Sequence, residues 1–155
     1  MSFIVVRVRS DVKVERTIRE TMGMLNLTRV NHATIIPDNP QYRGMLQKAK
    51  DYVTWGEADV VTIHSMLTER GRLPGDAPLT DEVVSETSDH DDIQAFAVAL
   101  AEDRASLKDV KGLKPVFRLH PPRGSKGWGG IKKAASVGGA LGRRDDIEHL
   151  VSRMI

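Results

Sequence analysis

The sequence predicts an α+β fold with a projecting basic arm. Three observations carry that prediction. Short β-branched runs alternate with helical apolar stripes through the first third of the chain, a strongly acidic middle also reads as helical, and no internal repeat or clear linker interrupts the 155 residues. A length of 155 residues suits one domain, expected here as 1–155, with parts at 1–56, 57–109, 110–144 and 145–155.

In chain order, Phe3 to Val8 is rich in β-branched side chains and bounded by Ser10-Asp11, which predicts a strand. Val14, Ile18, Met22 and Leu25 then fall at spacings of four, four and three, one stripe of an amphipathic helix, with Asn26 as its stop. Ala33 to Ile36 predicts a second strand ended by Pro37. Asn39-Pro40 predicts a helix start, because the asparagine side chain can cap and proline suits a first turn that has no use for its N–H. Tyr42, Met45, Leu46, Ala49 and Val53 supply the buried face of that helix. Tyr52 to Trp55 predicts a third strand, closed by Gly56. In the acidic middle, Val60, Ile63 and Leu67 form a helix face that Gly71 and Pro74 end. A short helix capped near Thr80 follows. Next comes one beginning at Asp89 to Asp92, with Ile93, Phe96, Ala97 and Leu100 inward; its carboxylates complement the helix dipole. Val116 to Leu119 predicts a last strand, and Ile147, Leu150, Val151 and Met154 are the inward face of a closing helix.

The net charge of +2 conceals a partition. Residues 1–56 hold nine Lys/Arg against five Asp/Glu, residues 57–109 four against thirteen, and residues 110–155 ten against three. The local field attracts phosphate, whatever the total, so two basic portions around an acidic one point to a nucleic-acid face. From Val110 to Arg144 there are nine basic side chains and no acidic one: Lys111, Lys114, Arg118, Arg123, Lys126, Lys132, Lys133, Arg143 and Arg144. The same stretch holds Gly124, Gly127, Gly129, Gly130, Gly138, Gly139 and Gly142, more than half of the thirteen glycines. Such a run builds no core of its own but can lie along a polyanion and release its counterions. A flexible basic tail without a fixed partner has the same composition.

Other chemistries find little support. The absence of cysteine excludes disulfides and thiolate metal ligands. None of His32, His64, His90, His120 and His149 pairs with another at helical spacing, so no metal or cofactor is expected. The N-terminal FIVVRV is too short and too charged for a signal segment, and no run approaches membrane-spanning length, so a soluble, cytoplasmic protein is expected. GSKGWGG imitates part of a nucleotide-binding loop but opens no obvious helix; a phosphate-ester enzyme built on it would have only His120 as a local base. In HPPRG the two prolines stiffen the chain and hold Arg123 out. Trp128 could stack on an exposed base or pack back onto the protein.

The run from Met24 to Glu57, MLNLTRVNHATIIPDNPQYRGMLQKAKDYVTWGE, resembles the core of the large-ribosomal-subunit protein family numbered thirty, whose eukaryotic relatives are numbered seven. FRLHPPRGSKGWGGIKKAASVGGALG resembles the C-terminal arm of its archaeal and eukaryotic branch. Without the long basic N-terminal extension usual in eukaryotes, the archaeal form is expected. The resemblance implies a β-α-β-α-β core, an antiparallel sheet with both helices on one face, related to the ferredoxin-like arrangement. It also implies a structural role on large-subunit ribosomal RNA without catalysis. The family's inter-element loop falls on Arg29, Asn31 and His32, and its second-helix arginine on Arg43 beside Gly44. Its arm falls on His120, Pro121, Pro122, Arg123 and Gly124, then on Gly138-Gly139 and Leu141-Gly142; Ser125 stands where many relatives have glycine.

The expected RNA-contacting set is therefore Arg29, Asn31, His32, Arg43, Gly44, Lys48, Arg118, His120, Pro122, Arg123, Gly124, Lys126, Trp128, Lys132, Lys133, Arg143 and Arg144. The partner expected is ribosomal RNA of the large subunit, with the 5S rRNA region and neighbouring ribosomal proteins as candidate partners and no small-molecule substrate. A regulatory RNA binder outside the ribosome is the alternative.

Overall fold

A computed structural model describes residues 1–10, 12–124, 127–128 and 130–155. Strand β1 (Ser2–Arg7) is the centre of the molecule, and all six of its residues are buried. Helix α1 (Arg16–Met24), strand β2 (His32–Pro37), helix α2 (Pro40–Ala49) and strand β3 (Val53–Glu57) follow. β1 pairs antiparallel with β2 on one side and with β3 on the other, which forms the antiparallel β-α-β-α-β core. Strands β4 (Phe117–Arg118) and β5 (Gly142–Arg143) extend the sheet to the order β4-β2-β1-β3-β5.

Alternation along β1 sorts its side chains to two faces. Phe3 and Val5 join Met22, Leu25, Leu46, Ala49 and Trp55, so α1 and α2 cover the same face. Ile4 and Val6 join a larger cluster on the other face, built with helices α3 (Val60–Arg70), α4 (Asp81–Thr87), α5 (Ile93–Ala101) and α6 (Ile147–Ser152). The acidic middle is thus a second helical layer. Burial on both faces is why the strand reads as a continuous apolar run.

The helix boundaries follow local chemistry. The Asn39 side chain accepts the Tyr42 N–H at 2.9 Å and Pro40 occupies the first turn. Asn26 lies at φ 61°, in the left-handed region that stops a helix and that asparagine tolerates. Several acidic residues are caps. Asp59 accepts the Thr62 N–H at 3.0 Å and Asp92 the Ala95 N–H at 2.7 Å, while Asp81 accepts the Ile93 N–H at 3.0 Å.

Three expectations are corrected. Gly56 does not close β3, which runs through it to Glu57. A Cβ there would lie 2.6 Å from the Arg144 carbonyl oxygen and 2.8 Å from Ile147 Cβ, so glycine admits the chain that leads into α6. The last strand shrinks to Phe117–Arg118, which pair with Ala33 and His32. Strand β5 was not foreseen: two residues in a basic, glycine-rich run carry no strand signal, yet they pair in parallel with Thr54 and Trp55.

Candidate nucleic-acid interface

β4 and β5 are opposite edges of one sheet, so residues 119–141 must pass from one edge to the other. The passage runs at the end where β1 finishes and β2 and β3 begin. There Arg7 pairs with Val53, His32 pairs with Arg118, and the Asn31 N–H donates to the Arg7 carbonyl at 2.9 Å. The crossing chain is tied along its course. The His120 N–H donates to the Met154 carbonyl at 3.0 Å and the Arg123 N–H to that of Arg153 at 3.1 Å. The Trp128 indole N–H donates to the Asn31 side-chain oxygen at 2.6 Å. Its half-buried ring packs against the main cluster and against Val8, Ala140 and Leu141. Of the two roles open to Trp128, packing onto the protein is the one seen.

Beyond Trp128 the arm is a tight knuckle rather than a free ribbon. The Ala140 and Leu141 N–H groups both donate to the Lys133 carbonyl, at 3.1 and 3.0 Å. A Cβ on Gly139 would lie 2.2 Å from that oxygen, so only glycine closes the loop. Lys132 and Lys133 are exposed on it. Gly124 takes φ 85° beside exposed Arg123, while Pro122 is buried. Lys126 lies outside the described residues.

The positive field at this end is legible in His32. Its Nδ1 is buried without a hydrogen-bond partner. Burial, then the charges of Arg29, Arg118 and Arg7, hold its pKa below the ordinary value of 6.5. After burial, these arginine charges add to the shift, and positive charge at this border favours a phosphate. Arg7 itself is buried: its guanidinium donates to the Arg9 carbonyl at 2.9 Å and to that of Leu27 at 2.8 Å. The sequence reading missed it as part of this site, although a single arginine inside an apolar strand was the available signal.

His120 has a different role from the rest of the set. Its ring nitrogens lie 2.8 Å from the Pro121 carbonyl and 2.8 Å from the Ile155 main-chain oxygen. Whichever ring nitrogen carries the proton donates to the oxygen beside it, so the ring is a bracket between the arm and the C-terminal turn. Among the described residues, no group of three His, Asp or Glu side chains could hold a metal ion.

A second group of expected residues lies apart from the arm end, on α2 and β5. Arg43, Gly44 and Lys48 are exposed on α2. Arg43 grips Asp38 with both arms of its fork, one of them at 2.8 Å, and holds that carboxyl below its ordinary range. Arg143 lies over the Phe3 ring, 5.6 Å from its centre, and reaches Glu57 at 3.3 Å. Half-buried Arg144 pairs with Asp146 at 2.8 Å.

The basic run is free of carboxylates in sequence but not in space. Asp76 pairs with both Arg118 and Lys114, the latter at 2.8 Å, and Glu57 and Asp146 take Arg143 and Arg144. Asp76 and Glu57 come from the acidic middle, a long-range pairing that composition cannot reveal, whereas Asp146 is a near neighbour of Arg144 in sequence. Most of these side chains are exposed, and such pairs are weak enough for phosphate to replace the carboxylate.

Comparison with known proteins agrees with this architecture. The family described as Ribosomal protein L30p/L7e matches residues 3–53. A protein of Methanosphaera stadtmanae named large ribosomal subunit protein uL30 is 48% identical over 154 residues, 99% of each chain. Its namesake in Methanopyrus kandleri is 52% identical over 148 residues, covering 95% of this chain and 99% of its own. That of Methanothrix thermoacetophila is 47% identical over 152 residues, 98% of this chain and 99% of its own. These relatives are archaeal and match along the acidic middle and the arm as well as the core. The chain belongs to the ribosomal protein L30p/L7e family, in the form carried by the archaeal uL30 proteins.

Proposed function

We propose that the arm-bearing end of the sheet, with the exposed face of α2, holds ribosomal RNA in the large ribosomal subunit. The protein is a structural constituent of that subunit, works in the cytoplasm where translation occurs, and is not an enzyme. The relatives, all named as large-subunit proteins, do not favour a regulatory role outside the ribosome.

The observation that carries the RNA-binding reading is the crossing itself. It brings Arg29, His32 and Arg118 from two strands and a loop to one border, and leaves Lys132 and Lys133 exposed on the segment that spans it. A rigid positive border tracks phosphates without reading sequence, because the RNA fold supplies the register. Gly44 adds a second support. A glycine inside a helix costs roughly 0.5–1 kcal/mol, and no atom lies within 4 Å of where its Cβ would be. The protein's own packing gives no reason for it, whereas the approach of an RNA backbone would.

The test is the salt dependence of binding to large-subunit ribosomal RNA. Replacing Arg29, Lys132 and Lys133 by glutamine should lower affinity and flatten the slope of log K against log salt by about 0.7–0.9 for each phosphate that is no longer neutralised. An unchanged slope sinks the assignment of this border. The 5S rRNA region and adjacent ribosomal proteins are the neighbours proposed within the subunit, and a crosslinking map of intact subunits checks them.

A further inference from the structure

Between α2 and β5 a small open cavity of about 170 Å³ is lined by Phe3, Arg43, Leu46, Gln47, Trp55 and Arg143. Its floor is apolar: Phe3, Leu46 and Trp55 are core side chains, 1%, 1% and 5% exposed, and the Arg143 guanidinium lies over the Phe3 ring. Its walls carry two guanidinium groups. Arg43 is held by its fork on Asp38, and Arg143 is held over the Phe3 ring with one nitrogen on Glu57. Both line the same cavity. Gln47 adds a neutral amide able to donate and accept.

An apolar floor beneath fixed cations, with one amide at the side, suits a flat ring tethered to an anion. Guanidinium planes and aromatic surfaces are what unpaired bases stack on, and the same arginines satisfy the attached phosphate. The size agrees, because an apolar cavity of about 150 Å³ holds one benzene ring. A space of this size admits a single base and excludes a paired one. A carboxylate side chain would engage the arginines but leave the floor uncovered.

We propose that this cavity receives one unpaired ribosomal RNA nucleotide, its base on the outer face of the Arg143 plane beside Trp55 and its phosphate on Arg43. The inference rests on the ribosomal RNA-binding reading and deepens it: the arm end follows phosphates, and this pocket takes a base.

The experiment irradiates intact large subunits with ultraviolet light and maps nucleotide adducts on this chain by mass spectrometry. Adducts on Trp55 are expected. Arg143→Gln and, separately, Gln47→Ala should lower their yield, counted per chain that sediments with the subunit, Arg143→Gln by about tenfold given what a stacked base contributes. Adducts confined to other residues, an unchanged yield in both variants, or a protein peptide crosslinked at the pocket overturns the proposal. Wild-type chain absent from the subunits would instead defeat the ribosomal reading, and this inference with it.

Discussion

Truncating the peg that holds the arm, Trp128→Ala, separates the two roles that an aromatic residue in a basic segment can have. The half-buried indole shields on the order of 100 Å² of apolar surface, which at about 25 cal/mol per Å² amounts to roughly 2.5 kcal/mol. Losing its hydrogen bond to Asn31 adds less than about 1 kcal/mol, because the freed amide regains access to water. The denatured chain already hides part of the ring, so the net destabilisation should be about 2 kcal/mol. For a chain of 155 residues this lowers Tm by about 4–8 °C. Circular dichroism measures the shift. Hydrogen exchange should show faster exchange at the Leu141 and Gly139 amides, whose partners belong to the knuckle that Trp128 holds down. An unchanged Tm with unchanged exchange, joined to a tenfold loss of RNA affinity, would refute the reasoning and make Trp128 a base-stacking residue.

Other expectations can be checked with purified protein. Gly56→Ala should lower stability by about 1–3 kcal/mol in denaturant titration, because its methyl group meets the Arg144 carbonyl and Ile147. Gly44→Ala should raise stability by about 0.5–1 kcal/mol yet weaken RNA binding, a pair of opposite signs that distinguishes external contact from internal packing. His32 should make stability pH-dependent in a definite direction. Its folded pKa is depressed, so the unfolded chain binds the proton more readily; the contribution is complete above pH 6.5 and declines as pH falls from there towards the folded pKa. NMR titration of His32 with and without RNA checks this, and phosphate binding should raise its pKa. Residues 1–155 should unfold in one transition, since Ile4 and Val6 of the central strand belong to the same cluster as α3, α5 and α6.

What the sequence determined by itself was most of what acts within a turn or two of its own position, although Gly56 did not end its strand. Of the stripe Val14, Ile18, Met22 and Leu25, all but Val14 fall on α1 or its cap, and the Asn39-Pro40 start, the Asn26 stop and the inward face of α6 were also readable, because periodicity and capping depend on near neighbours. The two motif runs that carry the family resemblance were also legible. The tertiary structure decided what depends on distant pairing. It placed β4 and β5 on opposite edges, so that a segment expected to project is drawn across the sheet end. It supplied Asp76 and Glu57 as partners for cations that look unopposed in sequence, and it turned Trp128 inward to Asn31, 97 residues away. Charge and apolar period are properties of a segment, whereas the partner each side chain meets is set by sheet register, which is fixed only when the whole core closes.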